Sequence, residues 1–222
     1  KHLYFNITKG KGRVLSKAET YGRLYSCGFK MIEEEYKNDR IFFTFKKVKE
    51  PLYDMNPSYG FLIKLKRVGK NEKPIKVYKL RTMSPFSEYL QEYVFQKNDL
   101  KDGGKIKDDF RISPEGKILR KFWIDELPMI FNLLKGEIKL VGVRPLSQHY
   151  FSLYTKELQE LRVKTKPGLI PPFYVDMPVT LEEIMASEMK YLRAYEKRPF
   201  YTDFSYFFKS LHNILIKRKR SG

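Results

Sequence analysis

The sequence predicts an α+β fold: a small sheet with several surrounding helices, plus an N-terminal helix–hairpin appendage. Two pairs of short strand-like runs, at residues 29–35 with 41–47 and 61–67 with 75–79, are each joined by turn residues. Helical periodicity follows, most clearly over residues 204–215. The hydrophobic share of 42% and the aromatic share of 15% supply enough apolar surface for a packed core.

The 222 residues are enough for one ample domain with a small addition. In the first part, Ser16 followed by Glu19 forms a capping-box pattern, and Gly28 is a typical helix end. A turn-rich stretch with two prolines, Pro51 and Pro57, begins at Pro51. We therefore predict an appendage over residues 1–50 and a main domain over residues 51–222. Because the chain begins at Lys1 and not at Met, we expect it to be a piece of a longer protein.

Further elements of the main domain follow from local signals. Ser84 and Pro85 predict an N-cap and a first helical position, opening a helix to about residue 96. Residues 100–110 are charged and contain glycine, which predicts a loop. An apolar run over residues 138–143 predicts a buried strand. Other helices are predicted over residues 117–123, 126–134, 149–163, 180–195 and 204–215.

Lys and Arg outnumber Asp and Glu by 44 to 26, which gives a formal net charge of +18. Such a charge favours polyanionic partners, namely nucleic acid, anionic lipid or phosphorylated substrates, and does not choose between them. A single cysteine excludes an internal disulfide, and three scattered histidines give no zinc spacing. No apolar run approaches the roughly 18 residues of a membrane-spanning helix, so any membrane contact of this segment is predicted at the surface.

The last helix combines an aromatic face with a basic end. One helical face carries Phe204, Phe207, Phe208, Leu211, Ile214 and Leu215. Residues 217–220 are four consecutive cations. This combination suits contact with an anionic membrane surface through the basic C-terminal helix. The alternative is a core-packing helix with a solvated tail.

Asp125 and Glu126 stand within an otherwise apolar stretch, residues 122–134. Burying carboxylates costs several kcal/mol unless cations, metal or hydrogen bonds compensate for it. Pro128 is tolerated because it falls in the first helical turn, which places Asp125 at a helix N-terminus. The plain alternative is that Asp125 is only an N-cap and Glu126 only a first-turn acid.

Cations surround this pair in the sequence. Lys79 and Arg81 lie two residues apart and would point to one face of a strand, an arrangement that suits a diphosphate. The alternative is an ordinary exposed basic strand. Arg111, Arg120 and Lys121 precede the acidic pair in sequence. Arg144 ends an apolar run, which indicates either a structural carboxylate pair or a phosphate contact.

Residues 60–222 resemble the bacterial sugar transferase family, the monotopic polyprenyl-phosphate phosphoglycosyl transferases. An ordered set of motifs with similar spacing carries the resemblance: Lys66-Arg67-Val68-Gly69, Tyr78-Lys79-Leu80-Arg81-Thr82-Met83, Asp109-Phe110-Arg111-Ile112-Ser113 with Gly116, Leu119-Arg120, Asp125-Glu126-Leu127-Pro128, Asn132, Gly136, Leu140-Val141-Gly142, Arg144-Pro145 and Lys166-Pro167-Gly168.

The resemblance implies a phosphoglycosyl transferase that moves a phospho-sugar from a UDP-sugar to a polyprenyl phosphate in bacterial surface polysaccharide or glycoconjugate synthesis. Asp125 matches the covalent nucleophile, and Glu126 matches the residue that binds Mg²⁺. The phosphate-binding residues by position are Lys79, Arg81, Arg120 and Arg144. The implied location is the cytoplasmic face of the bacterial inner membrane, either peripheral or through an anchor outside this chain.

The sequence departs from the family pattern in three places. The long hydrophobic segment that usually precedes the first motif does not occur at that place, because residues 42–63 are polar and proline-rich. We therefore expect the membrane anchor to be missing, replaced or upstream of Lys1. Val143 stands where the family commonly has proline. Residues 169–172 differ from the usual continuation after Gly168, so the sugar is not indicated.

Two other functions compete with the enzyme. One is a non-catalytic membrane-surface scaffold in polysaccharide assembly, which would need the C-terminal helix and not the acidic pair. The other is nucleic-acid binding, which only the charge of +18 favours. No nucleic-acid reader motif is present, so we predict no nucleic-acid partner.

Overall fold

The computed structural model describes residues 15–52, 59–97, 100–101, 105–106 and 109–215 of the chain. Helices and short strands mix throughout these residues, which confirms the predicted α+β class. The chain divides into two compact units. The first comprises Lys1–Phe61, Arg81–Asp99 and Ile106–Ile118, and the second comprises Leu62–Leu80, Leu100–Lys105 and Leu119–Gly222. The division at residues 50 and 51 stays a prediction.

The first unit contains a helix, a hairpin and a second helix. Its elements are α1 (Lys17–Ser26), β1 (Phe29–Lys37), β2 (Arg40–Lys47) and α2 (Gln91–Lys97). The Ser16 hydroxyl accepts a hydrogen bond from the Glu19 N–H, as the capping-box pattern predicts. β1 and β2 are antiparallel. The buried core of the unit consists of Ala18, Tyr21, Leu90 and Val94.

The second unit holds two further strand pairs and most of the helices. Its strands are β3 (Leu62–Val68), β4 (Pro74–Leu80), β7 (Lys139–Val141) and β8 (Gly168–Ile170). Its helices are α4 (Met129–Leu134), α5 (Gln148–Ser152), α6 (Lys156–Val163), α7 (Phe173–Asp176), α8 (Leu181–Lys197) and α9 (Pro199–Leu215). The larger core cluster consists of Val141, Val143, Tyr154, Leu158, Tyr191, Leu192 and Tyr206.

Three elements lie where the chain passes between the units. The two-residue strands β5 (Leu100–Lys101) and β6 (Lys105–Ile106) pair with each other where we predicted only a loop. Helix α3 (Pro114–Lys121) begins earlier than predicted, with proline in its first turn.

β3 and β4 form an antiparallel hairpin in which Arg67 faces Ile75 and Ile63 faces Lys79. Residues that pair directly across two strands lie on the same face of the sheet. One face of the hairpin therefore carries the fully buried Val77 together with Arg67 and Lys79. This inner face is apolar apart from those two cations.

β7 and β8 run parallel, and their backbones approach closely just beyond β7. A Cβ atom added to Gly168 would lie 2.1 Å from the Gly142 nitrogen, so no larger residue fits there without a backbone shift. The Gly168 N–H donates to the Val143 carbonyl over 2.9 Å. This close pairing fixes the segment that leads into Arg144.

Two helix predictions were wrong in detail. The predicted helix over residues 149–163 is two helices, because the Thr155 side chain accepts from the Leu158 N–H and caps a new one. The helix predicted from Ser84 and Pro85 begins later, since Phe86 has a left-handed φ of 64° that a helix start cannot contain.

Helix α9 keeps only part of the predicted aromatic face exposed. Phe204, Phe208 and Leu211 are exposed, together with Phe200 and Tyr201. Phe207, predicted on the same face, packs against the larger core cluster. The basic residues 217–220 lie outside the described residues. Among the residues that the structure describes, no helix is both long enough and apolar enough to cross a membrane.

Candidate active site

The two adjacent carboxylates lie on a single 3₁₀ turn, Ile124–Glu126, which follows helix α3 and precedes helix α4. Asp125 is 9% exposed. Trp123, directly before the turn, has a left-handed φ of 61°. Asp125 makes no N-cap for the following helix, since that helix begins at Met129. The plain N-cap interpretation of Asp125 is therefore wrong.

Lys79 reaches the acidic pair from the end of strand β4. Its Nζ donates to Glu126 Oε1 over 2.6 Å, and both side chains are mostly buried, at 17% and 19% exposed. Arg144 approaches the same carboxylate oxygen, with its Nη2 at 3.5 Å. Residues far apart in the sequence thus meet at Glu126.

Burial raises the pKa of Asp125 above its ordinary value, and the negative charge of Glu126 raises it further. Lys79 and Arg120 oppose this shift through their positive charges. The carboxylate is thus short of water and held next to cations. Because burial disfavours the charged form of a carboxylate, the ionised Asp125 depends on the neighbouring cations for stabilisation.

Burial also lowers the pKa of Lys79 from its ordinary value. The nearby charges of Glu126 and Asp125 raise it again, whereas Arg144 adds to the lowering. Two carboxylates and one guanidinium therefore act in opposite directions on the pKa of the Lys79 ammonium. Its protonation thus depends on Glu126, Asp125 and Arg144.

Asn132 joins the two elements that carry this pair. It is fully buried in helix α4, and its Oδ1 accepts from the Tyr78 N–H over 2.9 Å. Its Nδ2 donates to the Lys76 carbonyl over 2.8 Å and to Glu137 over 2.6 Å. One amide therefore fixes strand β4 against helix α4, next to Lys79.

The backbone around Arg144 is held by a buried ion pair. Arg162 donates from Nη2 to the Arg144 carbonyl over 2.5 Å and is paired through Nη1 with Glu188. Both charged side chains of that pair are buried. Two residues further on, the Leu146 carbonyl accepts from the Val68 N–H over 2.9 Å. These contacts fix the backbone at Arg144, whereas its side chain is 50% exposed.

The structure brings together five of the six predicted site residues by geometry or charge: Asp125, Glu126, Lys79, Arg144 and Arg120. Arg120 acts on Asp125 through its charge. Arg81 belongs to the first unit, where it is buried and its Nε donates to the Gly60 carbonyl over 2.9 Å. Arg111, also in that unit, is paired with Asp109 over 2.7 Å.

The acidic pair offers oxygen ligands of the kind that a magnesium ion takes. In the described ranges, no three His, Cys, Asp or Glu side chains are grouped so that they could hold a metal. Two adjacent carboxylates fit Mg²⁺, which often takes one or two protein carboxylates and completes its shell with phosphate oxygens and water. Asp125 and Glu126 could therefore supply carboxylate oxygens to Mg²⁺.

Sequence reasoning assigned no role to Arg67, Asn132 or Arg162. The signal for Arg67 was present, because strand alternation places it on the same face as Lys79 once the hairpin register is known. Asn132 and Arg162 act through contacts that no local pattern encodes.

Residues 52–217 match the sequence profile described as bacterial sugar transferase, and this covers most of the chain. The chain belongs to the bacterial sugar transferase family. The family assignment agrees with the resemblance that the motifs predict.

Several curated proteins are similar over a shorter stretch. The uncharacterized sugar transferase EpsL of Bacillus subtilis is 41% identical over 103 residues, which is 46% of this chain and 45% of that protein. The galactosyl transferase CpsE of Streptococcus agalactiae is 38% identical over 104 residues, covering 46% of this chain and 23% of its own length.

A third relative carries a more specific name. The UDP-glucose:undecaprenyl-phosphate glucose-1-phosphate transferase of Klebsiella pneumoniae is 38% identical over 105 residues, 46% of this chain and 20% of that protein. The matched part thus spans less than half the length of each of these three relatives.

Proposed function

We propose that this chain transfers a sugar phosphate from a UDP-sugar to a polyprenyl phosphate through a covalent intermediate on Asp125. The observation that carries the proposal is the buried Asp125, placed beside Glu126 and within the charge of Lys79. Relatives named as undecaprenyl-phosphate sugar phosphotransferases support the substrate classes.

In the first step, an Asp125 carboxylate oxygen attacks the β-phosphorus of the UDP-sugar. The bond between that phosphorus and the oxygen that bridges to the α-phosphorus breaks, and UMP leaves with the electron pair. In the second step, a phosphate oxygen of the polyprenyl phosphate attacks the same phosphorus. The Asp125–phosphorus bond then breaks, which restores the carboxylate and leaves a polyprenyl diphosphate sugar.

The cations around the pair suit this transfer. Lys79 and Arg144 both contact the carboxylate of Glu126, next to Asp125. In that position they can offset the charge of a phosphoryl group during its transfer. Arg120, whose charge acts on Asp125, completes the proposed phosphate-binding set of this unit. Glu126 would hold Mg²⁺ together with substrate oxygens, and a bound Mg²⁺ would neutralise part of the developing charge.

The direct test is release of UMP from a panel of UDP-sugars with Mg²⁺ and undecaprenyl phosphate. The native chain should release UMP, and Asp125→Asn should abolish the release. Intact-protein mass spectrometry without acceptor should show a sugar-phosphate adduct on the native chain only. Normal turnover in Asp125→Asn would rule out the covalent role, and vesicle binding without UMP release over the whole panel would favour a non-catalytic scaffold.

The proposed membrane contact is helix α9, on the cytoplasmic face of the bacterial inner membrane. Its exposed aromatic side chains suit insertion into the headgroup region. Replacing Phe204 and Phe208 by serine should weaken binding to phosphatidylglycerol vesicles in a sedimentation assay. Tyr150→Ser, at another exposed aromatic residue, is the control that should bind as the native chain does. Equal binding of all variants would reject this surface.

A further inference from the structure

Arg67 is a half-buried cation on the inner face of the β3–β4 hairpin, a face that is otherwise apolar except for Lys79. Lys79 is paired with Glu126. Within the described residues, Arg67 has no carboxylate partner. The hydrogen bond it makes runs from Nη1 to the Lys66 carbonyl over 2.8 Å. A half-buried guanidinium that faces no carboxylate is available to bind an anionic ligand.

Arg144 lies close enough to add its own positive charge to this cost. Burial lowers the pKa of Arg67, and the charge of Arg144 lowers it further. The backbone explains the proximity, since the Val68 N–H donates to the Leu146 carbonyl and so holds the end of β3 beside the segment after Arg144. The two guanidinium groups are thus near enough for their charges to act on each other.

The position of the two arginines also separates them from the reacting carboxylate. Arg67 faces Ile75 in the hairpin register, whereas Lys79 faces Ile63. Four residues along a strand place Arg67 and Lys79 roughly 13 Å apart at their Cα atoms. Arg144 contacts Glu126 and its charge also acts on Arg67. Arg144 therefore lies between Arg67 and the acidic pair.

We propose that Arg67 and Arg144 form a second phosphate-binding pair, beside the carboxylates, that takes a phosphate ester of one of the two substrates. The inference rests on the proposed function for the identity of those substrates. A guanidinium pair matches phosphate because each group offers two parallel N–H donors and a fixed positive charge. The ester is either the nucleotide phosphate of the donor or the phosphate of the acceptor.

Binding measurements distinguish the two sources without requiring turnover. UDP and farnesyl phosphate are titrated separately into the native chain and into Arg67→Gln, by calorimetry. We expect Arg67→Gln to bind one of the two probes at least about tenfold more weakly, because a charge-assisted hydrogen bond pair is lost. Arg144→Gln should weaken the same probe. Lys70→Gln, which removes an exposed cation three residues away, should bind both within about twofold of the native chain.

Thermal unfolding separates ligand binding from a structural role. Removing one of two repelling cations should leave the Tm of Arg67→Gln equal to that of the native chain or higher. The proposal is overturned if Arg67→Gln binds both probes as the native chain does, or if it lowers the Tm and weakens both probes together. Loss of UMP release in Asp125→Asn tests the chemistry alone, so either proposal can fail while the other stands.

Discussion

Lys79 Nζ lies 2.6 Å from Glu126 Oε1, and the two residues are 47 positions apart in the chain. Both side chains are mostly buried, so each charge depends on the other for compensation. The pair connects the end of β4 to the turn that carries Asp125. It is therefore the contact that assembles the candidate site.

A double-mutant cycle should measure a strong coupling in this pair. We expect Lys79→Met, Glu126→Gln and the double variant to give a coupling free energy of about 1–3 kcal/mol in urea unfolding. The matched control is Arg193 with Glu157, which has the same 2.6 Å separation but side chains 60% and 62% exposed. Its cycle should give about 0.5 kcal/mol or less. Equal coupling in the two cycles would contradict the role of burial.

Asp125→Asn should stabilise the fold while it removes activity. The raised pKa of Asp125 means that the folded chain disfavours the ionised carboxylate near neutral pH. A neutral amide of the same shape removes that cost. The free energy of unfolding should therefore rise by about 1 kcal/mol, which corresponds to an increase in Tm of about 2–4 °C. Calorimetric unfolding at pH 7 provides the measurement. A lower Tm in Asp125→Asn would show that the ionised group contributes to stability.

The pH dependence of kcat/KM should have two limbs that belong to named residues. If Asp125 is the proposed nucleophile, it must be ionised to react, so activity should fall on the acid side. The fall should start at a higher pH than for an ordinary aspartate, because the pKa of Asp125 is raised. On the alkaline side, Lys79 loses its proton below the usual range, because burial lowers its pKa.

Lys79→Arg is the variant that tests the alkaline limb. An arginine keeps its charge throughout the accessible pH range, so the alkaline limb should move beyond the range measured. Lys70→Arg, at an exposed position, should keep the native profile. An unmoved alkaline limb in Lys79→Arg would assign that limb to another group.

Replacing Asn132 by leucine should cost about 3 kcal/mol of stability, because a buried Tyr78 N–H and a Lys76 carbonyl lose their partner. Asn132→Asp should be damaging as well, since an ionised carboxylate cannot donate to the Lys76 carbonyl and lies next to Glu137. Urea unfolding of both variants gives the free energies. Retention of native stability in Asn132→Leu would show that the amide is not the connection between β4 and α4.

Local signals in the sequence predicted much of the fold. The capping pattern at Ser16 and the hairpins at residues 29–47 and 61–80 are encoded within a few residues of each element. The errors arose where one residue overrides a pattern, as Thr155 does by starting a new helix and Phe86 by its left-handed backbone.

The candidate site was predictable in composition and not in geometry. Motif order selected Lys79, Asp125, Glu126 and Arg144, which the structure places together. Arg67 was overlooked because its face depends on the register of β3 against β4. Long-range contacts of buried polar groups, such as Asn132 with the Tyr78 N–H, follow from tertiary packing alone.

The second unit is not continuous in the sequence. Most of residues 81–118 belong to the first unit, and the second unit continues without further interruption from Leu119. The cations of β3 and β4 precede this stretch, whereas the carboxylates follow it. Closing such a stretch costs entropy that grows only with the logarithm of its length, about 0.6 kcal/mol for each doubling. Insertions into a surface loop of this stretch, away from the buried residues Leu90 and Val94, should therefore cost little stability and leave the contacts of Lys79 and Glu126 unchanged.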